Sequence, residues 1–397
     1  MSNPCAAVHP MVISHFNSNL HRFHSIMHEM QLADFDYTLP AQLIAQQPLE
    51  DRAAARMLLL ERSSGRIEDS QFRQLPSRMQ GNELLVVNNA RVIPARLFAH
   101  RSGARAEPPG KHTRSGKEHL SSRIEVLLAR RIDSDLWEAL VRPGRKVGKG
   151  ERLFFEGAKL EAEVVGRGSY GLRQLRFRTG EAETVSEAIN KIGHVPLPPY
   201  IRRLDELLDR DRYQTVFAKP PVAVAAPTAG LHFTPAIMKE LRQRGIEIAE
   251  ITLEVGLGTF QPIRAENLED NAMHSEAYEI AHSAAAAISA ARRQQRPILA
   301  VGTTVVRALE DAAQKSIQAG RAPEAISAGR ASAEIFIRPG HKFALIDQLL
   351  TNFHLPRSTL LVLVCAFAGR EAILSAYHHA IASGYRFYSY GDCMLIR

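Results

Sequence analysis

Apolar and polar positions alternate in two different ways along the chain. From about residue 180 to the C-terminus, short apolar strands alternate with helical periods, which favours an α/β layer structure. Residues 222–255 show the pattern most clearly: a strand VAVAA, a helix IMKELRQR and a second strand IEIAEITLEV. The order strand, turn and helix returns at 297–316, and ELLVVNN at 83–89 predicts another buried strand.

Between residues 96 and 179 the pattern changes to short strand-like runs separated by Gly, Pro and Asp turns. The runs are IEVLLARR, LWEALVRPG, ERLFFEG, KLEAEVV and GLRQLRFR. Their spacing is typical of a small all-β sandwich or barrel. We therefore predict a mixed α/β main domain, formed by residues 30–95 and 180–397, with an inserted small β-barrel domain at 96–179. Residues 1–29 carry no amphipathic period, and we expect them to be a disordered extension.

Composition narrows the class of protein. With 397 residues and 45% apolar content, the chain can bury a substantial core. The longest apolar run, LLVLVCAFAG at 360–369, is about half of what a bilayer-spanning helix needs, and we see no leader peptide. The three cysteines, Cys5, Cys365 and Cys393, have neither zinc nor disulfide spacing. We expect a cytoplasmic protein without a membrane partner.

Positive charge is concentrated in the predicted barrel. The formal net charge is +8, and residues 91–179 alone hold 20 Lys plus Arg against 10 Asp plus Glu. Such a patch is expected where a protein meets a phosphate backbone. A solvated arginine-rich surface that keeps the protein soluble has the same composition, so charge alone leaves both interpretations open.

Three strand-to-helix turns are the first candidates for a ligand site. In α/β sheets, ligands bind beyond the carboxyl ends of strands, where helix N-termini present free amides. The candidate residues of these turns are Asn89 and Arg91 in NNAR, Thr228, Gly230, His232 and Thr234 in APTAGLHFT, and Gly302, Thr303 and Thr304. Turns of this kind are also common as purely structural elements.

Two further stretches contain histidines. DNAMHSEAYE at 270–279 holds His274 and Glu276, which supply only two of the three firm ligands that a zinc site needs, so we predict no metal. We interpret them as an acid/base or hydrogen-bonding pair. TNFHLPRSTLL at 351–361 holds Asn352 and His354 before a capped helix start, and a capping loop with a structural histidine explains it equally well.

The C-terminal segment YRFYSYGDCMLI is rich in aromatic residues. Alternation predicts a strand in which Arg386, Tyr388 and Tyr390 share one face, with Asp392 following them. Arginine and aromatic side chains on one face can stack an unpaired base. Plain β-propensity explains the same pattern.

Ten ordered segments resemble one known family. They are DYTLPAQLIAQQP, NELLVVNNARVIPARL, GHVPLPPYIRR, DRYQTVFA, VAAPTAGLHFT, TLEVGLGTFQPI, MHSE, AVGTTVVRALE, TNFHLPRSTLLVLVCAFAG and YRFYSYGDCMLI. In this order they are similar to the S-adenosylmethionine:tRNA ribosyltransferase-isomerases of queuosine biosynthesis. The resemblance runs from Met30 to Arg397 and omits only the first 29 residues and the loop at 101–122.

The resemblance implies a reaction. The family transfers and isomerises the ribosyl part of S-adenosylmethionine onto 7-aminomethyl-7-deazaguanine at the wobble position of tRNA, which gives epoxyqueuosine and releases adenine and methionine. S-adenosylmethionine is then a consumed substrate, and no cofactor is expected. The implied fold, an α/β domain with an inserted barrel, matches the domains predicted from the pattern. We expect a monomer.

The resemblance and the chemistry together assign roles to the candidates. His232, His274, Glu276 and His354 are the candidates for proton transfer, because imidazoles and partly buried carboxylates can be tuned towards neutral pH. The substrate-binding candidates are Asn89, Arg91, Thr228, Gly230, Thr234, Gly302, Thr303, Thr304, Asn352, Arg386, Tyr390 and Asp392. The tRNA-binding candidates in the barrel are Arg142, Arg145, Lys146 and Lys149.

The chain departs from the family pattern at two positions. Glu254 stands where TLHVG has its histidine, and Asn271 stands where a histidine precedes MHSE by three residues. We therefore place neither at the centre of the mechanism. Two other functions stay open: an RNA methyltransferase, against which the absence of a G-x-G loop after an early strand argues, and an RNA-binding protein with structural histidines.

Overall fold

The computed structural model describes residues 30–103, 123–168, 171–256, 266–268 and 275–397. The predicted N-terminal extension, His274 and Asn271 lie outside the described residues.

The described ranges contain seventeen strands and eight α-helices, of which β4 is as short as two residues and α1 and α3 as short as four. The strands are β1 (Arg56–Leu60), β2 (Ile67–Gln71), β3 (Leu84–Asn88), β4 (Arg91–Val92), β5 (Arg96–Arg101), β6 (Ile124–Arg131), β7 (Leu136–Arg142), β8 (Arg152–Phe155), β9 (Glu161–Arg167), β10 (Arg173–Arg178), β11 (Pro221–Ala223), β12 (Glu247–Leu253), β13 (Glu276–Ile280), β14 (Ile298–Val301), β15 (Gly329–Ala333), β16 (Gln348–Asn352) and β17 (Cys393–Ile396). The helices are α1 (Leu75–Arg78), α2 (Val185–Ile192), α3 (Asp209–Arg212), α4 (Pro235–Gln243), α5 (His282–Arg293), α6 (Thr303–Gln318), α7 (Thr359–Ala368) and α8 (Arg370–Ala382).

A nine-stranded sheet forms the centre of the main domain. Its strand order is β15-β13-β12-β3-β14-β16-β17-β1-β2. The four strands β12, β3, β14 and β16 are parallel to one another, so their carboxyl ends meet at the same edge of the sheet. Strand β17 is antiparallel to β16, and its first residue, Cys393, lies opposite Asn352 at that edge. We call this the carboxyl edge.

Both faces of the central sheet are buried at its middle strands. In β3, for example, alternate residues enter two different hydrophobic clusters: Leu84 and Val86 belong to one, and Leu85 and Val87 to the other. Helices α5 to α8 cover the first face, and α1 and α4 cover the second. Parallel strands buried on both faces are apolar at every position, which explains why β3 reads as a continuous apolar run.

The inserted segment forms a closed barrel of antiparallel strands in the order β10-β7-β6-β5-β8-β9. The prediction of an α/β main domain with an inserted β-barrel is therefore confirmed. Inward residues of the barrel strands form their own hydrophobic cluster, which Ala188 and Ile189 of α2 and Val224 also join. The domain boundaries at 95/96 and 179/180 stay a prediction.

The predicted C-terminal strand is partly wrong. Only Cys393–Ile396 forms a strand, whereas residues 386–392 form a tight turn. The turn is closed by Asp392, whose carboxylate accepts the main-chain N–H groups of Arg386 (2.7 Å) and Arg56 (2.8 Å). A Cβ on Gly391 would lie 2.5 Å from the carbonyl oxygen of Arg386, so this turn needs glycine.

In the described part of the chain, no single helix is long and apolar enough to cross a membrane. Helices α7 and α8 reach that length only together, and they are bent by 114° at the break between them.

Candidate active site

A partly open cavity lies at the carboxyl edge. We call it the edge cavity. Its walls come from the turn at 226–229, the start of α6 at 302–304, the end of β16 with its loop at 351–355, and the turn at Tyr388 and Ser389. Tyr200, Val255 and Leu360 complete the wall. Of the sequence-predicted residues, the cavity brings together Thr228, Gly302, Thr303, Thr304, Asn352 and His354.

The N-terminus of α6 forms one wall of the edge cavity. Gly302 has φ +92° and donates its N–H to Leu350 O at 2.8 Å, which turns the chain from β14 directly into the helix. Thr303 and Thr304 are the first two helical residues and are buried. The first amides of a helix have no intrahelical partner and favour an anion. This wall therefore suits a carboxylate or a phosphate.

His232 lies next to the edge cavity and is bonded to its wall. Nε2 of His232 is 3.3 Å from Oδ1 of Asn352, while Nδ2 of Asn352 donates to Tyr388 O at 2.9 Å. Because the amide N–H group is committed to Tyr388, Oδ1 faces the imidazole, and Nε2 of His232 must carry the proton. The pKa of His232 is lowered to about 4, mainly by burial; the hydrogen bond to Asn352 acts to raise it, and the charges of Arg386 and Arg52 act to lower it. His232 is thus a neutral imidazole at pH 7.

His354 is held from three sides. Its Nε2 lies 2.7 Å from Thr351 Oγ1, its main-chain N–H donates to the Tyr377 hydroxyl at 2.9 Å, and the Tyr37 hydroxyl donates to its carbonyl. Burial of the ring lowers the pKa of His354 to about 3. A neutral imidazole that is this weakly basic acts by hydrogen bonding, since it holds no proton to give as an imidazolium at neutral pH.

Burial of neutral His232 predicts a pH-dependent stability. The unfolded chain binds the proton with a pKa near 6.5 and the folded chain with one near 4, so stability falls as pH drops below 6.5 and levels off below 4. Between pH 7 and pH 5, the unfolding free energy of the wild type should fall by about 2 kcal/mol more than that of His232→Gln. Chemical denaturation at the two pH values measures this difference. The exposed His378→Gln control should follow the wild type. An unchanged pH dependence in His232→Gln would show that this ring titrates normally.

The turn at Tyr388 supplies residues that sequence reasoning did not assign to the site. Tyr388 adopts φ +71°, which non-glycine residues rarely do and which is frequent at functional sites. Its ring lies 4.7 Å from that of Tyr200, and the Tyr200 hydroxyl is 2.7 Å from Ser389 Oγ. The Gly391-Asp392 pair was the sequence signal for this turn. Apart from their place in segments that resemble the family, no sequence pattern indicated that Tyr200 and Thr351 line the site.

Several predicted residues have structural contacts instead of a place in the cavity wall. Asn89 donates from Nδ2 to Glu250 at 3.1 Å and accepts from the Thr252 hydroxyl at 2.7 Å. Thr234 caps α4 by accepting the Ile237 N–H at 3.2 Å. Arg91 is exposed on β4.

Other predicted residues lie in charged or hydrogen-bonded clusters. Glu276 is buried at the start of β13, with its carboxylate 2.6 Å from Nη1 of Arg307. The hydroxyl of Tyr390 donates to Asp209 at 2.7 Å. Glu254, one of the two departures from the family pattern, pairs with Arg330 at 2.7 Å.

Gly230 is a packing residue beside the site. A Cβ at this position would lie 2.8 Å from both Phe217 Cζ and Thr215 Cγ2. We expect Gly230→Ala to destabilise the protein by about 1 to 3 kcal/mol through overpacking, measured by thermal or denaturant unfolding. Gly256→Ala, where a Cβ meets nothing within 4 Å, is the matched control. Equal stability of the two variants would contradict this packing argument.

The four predicted tRNA-binding residues share one exposed loop. Arg142 ends β7, Arg145 and Lys146 lie in a short 3-10 helix, and Lys149 follows it before β8. All four side chains are exposed, and within the described ranges none of them forms an ion pair. Arg173 holds the loop backbone by donating to Val147 O (3.0 Å) and Gly144 O (3.2 Å). We call residues 142–149 the basic loop.

Metal binding has no support in the residues that the structure describes, since none of them form a group of three or more His, Cys, Asp or Glu side chains able to hold an ion.

Comparison with known proteins gives a consistent result. The family model described as "Queuosine biosynthesis protein" matches residues 32–396. A Solibacter usitatus protein named S-adenosylmethionine:tRNA ribosyltransferase-isomerase is 50% identical over 92% of this chain and 100% of its own. A Moorella thermoacetica protein of the same name is 48% identical over the same shares. A crystal structure described as S-adenosylmethionine tRNA ribosyltransferase from Thermotoga maritima is 34% identical, covers 92% of this chain and 100% of that chain, and has a TM-score of 0.48. The family match and the identity to the Solibacter usitatus and Moorella thermoacetica proteins show that this chain belongs to the queuosine biosynthesis protein family.

Proposed function

We propose that this protein is an S-adenosylmethionine:tRNA ribosyltransferase-isomerase. It transfers and isomerises the ribosyl part of S-adenosylmethionine onto 7-aminomethyl-7-deazaguanine at the wobble position of tRNA, forms epoxyqueuosine, and releases adenine and methionine. The observation that carries the proposal is 50% identity to a relative of this name over 92% of the chain.

The edge cavity offers a complementary group for each part of the substrates. The N-terminus of α6 at Thr303 and Thr304 binds the methionine carboxylate, because free amides and the helix dipole favour an anion. Tyr200 and Tyr388, whose rings lie 4.7 Å apart, provide aromatic surface for a purine or deazapurine ring. Thr228 and Asn352 supply hydrogen-bonding groups in the same wall.

The chemistry requires a base next to the sulfonium, a donor that helps adenine leave, and a site that excludes water. We assign the donor role to neutral His232. Its Nε2–H is directed at Asn352 Oδ1 in the wall of the edge cavity, and the leaving adenine replaces that oxygen as the acceptor during the reaction. His354, His274 and Glu276 are the remaining candidates for proton transfer. Glu276 is held in place by its ion pair with Arg307.

S-adenosylmethionine is consumed as the ribosyl donor, so the proposed reaction needs no separate cofactor. The tRNA docks on the basic loop of the barrel, with the wobble nucleotide in the edge cavity. We further propose that the protein acts as a monomer in the cytoplasm.

Product analysis tests the proposed function. The protein is incubated with S-adenosylmethionine and tRNA that carries 7-aminomethyl-7-deazaguanine, and small molecules and nucleosides are separated by mass. We expect adenine and methionine in equal amounts, together with epoxyqueuosine in the tRNA. S-adenosylhomocysteine would identify a methyltransferase instead, and tRNA binding without any turnover would identify a binding protein.

A further inference from the structure

A second, smaller pocket adjoins the edge cavity. Ser389 lines both spaces, and His232 lines the small pocket while it bonds to Asn352 in the wall of the edge cavity. Two arginines, Arg52 and Arg212, stand among otherwise mostly apolar residues in its wall. We call it the arginine pocket.

The guanidinium groups of the arginine pocket bind main-chain carbonyls. Arg52 donates to Gln214 O (2.5 Å) and Asp211 O (2.7 Å). Arg212 donates to Glu50 O (2.8 Å) and Leu49 O, and its buried Nε has no hydrogen-bond partner. These contacts fix the positions of the side chains. Because a carbonyl carries no formal charge, it does not neutralise the positive charge of a guanidinium.

A third guanidinium belongs to the same cluster. Arg386 donates from Nη2 to Gln47 O, beside Pro48 in the pocket wall, and its buried Nη1 has no hydrogen-bond partner. The positive charges of Arg386 and Arg52 both act to lower the pKa of His232, which lines the pocket together with Arg52.

Carboxylates act on this cluster only without direct contact: the charges of Asp211 and Asp392 act to raise the pKa values of Arg52 and Arg386, against the larger effect of burial. In the described ranges, none of the three guanidiniums has a carboxylate within 4.0 Å. The nearby carboxylate of Asp392 accepts main-chain N–H groups instead. Burial lowers the pKa of Arg52, and the neighbouring charge of Arg212 lowers it further. Like charges that are held together at half-buried positions repel one another and are poorly solvated, which costs free energy. An anionic ligand would reduce this cost, so the cluster favours an anion.

We propose that the arginine pocket binds one backbone phosphate of the tRNA, next to the nucleotide that enters the edge cavity. The proposal rests on the proposed function. The paired N–H donors of a guanidinium match the oxygens of a phosphate. Three guanidiniums supply more positive charge and more donors than the single carboxylate of S-adenosylmethionine requires. That carboxylate already has a suitable partner at the N-terminus of α6. The shared wall at Ser389 lets one strand of RNA place a phosphate in one space and the adjacent base in the other.

The test measures tRNA affinity of the full-length protein as a function of salt for Arg212→Gln and for Arg386→Gln. We expect each variant to bind the modified tRNA roughly ten- to a hundredfold more weakly at low salt. The slope of log affinity against log salt should fall by about 0.7 to 0.9 for the lost phosphate contact, with the KM for S-adenosylmethionine unchanged. Arg293→Gln, which removes an exposed arginine at the end of α5, is the matched control and should bind as the wild type does.

Melting curves show whether the variants fold. If the glutamine variants do not fold, Arg212→Lys and Arg386→Lys are measured instead. Lysine retains the positive charge, so the salt slope should stay the same, but it lacks the paired N–H donors of arginine, so binding should weaken. Wild-type affinity and slope in folded variants would overturn the proposal. A raised KM for S-adenosylmethionine with normal tRNA binding would overturn it too, because the pocket would then hold the methionine carboxylate. Either result leaves the proposed function intact, which fails only if the wild-type protein releases no adenine and methionine.

Discussion

Asn352→Leu is expected to lower kcat by about a hundredfold or more. The side chain volume is nearly preserved, but the two hydrogen bonds of the amide are lost. His232 then has no acceptor for its Nε2 proton, and Tyr388 O, at the centre of a turn with φ +71°, loses its donor. The rings of His232 and Tyr388 then move or change their hydrogen bonding. Because both belong to the proposed site, their displacement slows the chemical step.

The measurement is steady-state turnover with saturating substrates, accompanied by tRNA affinity. Affinity for tRNA should stay near that of the wild type, because Asn352 lies in the edge cavity and away from the basic loop. Asn82→Leu, at an exposed position before β3, controls for the added leucine. Normal turnover by a folded Asn352→Leu protein would remove the His232–Asn352–Tyr388 contacts from the mechanism.

Replacing all four basic side chains of the basic loop with glutamine is expected to weaken tRNA binding by about a hundredfold or more at low salt. Arg142, Arg145, Lys146 and Lys149 are exposed and free of ion pairs within the described ranges, so their full charge is available to phosphates. If each contacts one phosphate, the salt slope falls by roughly three to four. The kcat at saturating tRNA should change little, because the loop belongs to the barrel and not to the edge cavity.

The matched control removes four exposed cations from the main domain: Lys239, Arg242, Arg293 and Arg321. Net charge changes equally in both proteins, so a general electrostatic effect would weaken binding equally. Equal weakening by the two quadruple variants, or none by either, would contradict docking on the barrel.

Much of the fold was predictable because local patterns determine its elements. Strand β3 and strand β14 are buried on both faces and read as unbroken apolar runs, and β12 lies within the predicted strand IEIAEITLEV. Thr234 and Pro235 marked the start of α4 through capping and a fixed φ. In the barrel, each apolar run corresponds to one strand, since one face of each strand points inward.

The site was predictable only in part, because its walls come from segments far apart in the chain. Residues directly after parallel strands, such as Thr303 and Asn352, follow from the topology of α/β sheets. Tyr200 reaches the cavity from the segment after α2, and no local pattern signals this. Tyr388 was placed on a strand face because alternation was given more weight than Gly391 and Asp392, which close a turn.

Two neighbouring asparagines show that sequence patterns do not predict which of two adjacent side chains has a given role. Asn89 was predicted to bind substrate, whereas the buried Asn88 joins β3 to β12 by accepting the N–H groups of Ala90 (2.9 Å) and Leu253 (3.1 Å). Which of the two side chains points into the protein depends on the register of the strand end, which the sequence does not show.

The most direct test of the central claim follows two isotopic labels of S-adenosylmethionine through one turnover. One preparation carries the label in the ribose and the other in the methyl group, and tRNA bearing 7-aminomethyl-7-deazaguanine is in excess. Ribosyl transfer predicts that the ribose label enters the tRNA, while the methyl label leaves with methionine. Methyl label in the tRNA with ribose label left in S-adenosylhomocysteine would contradict the account.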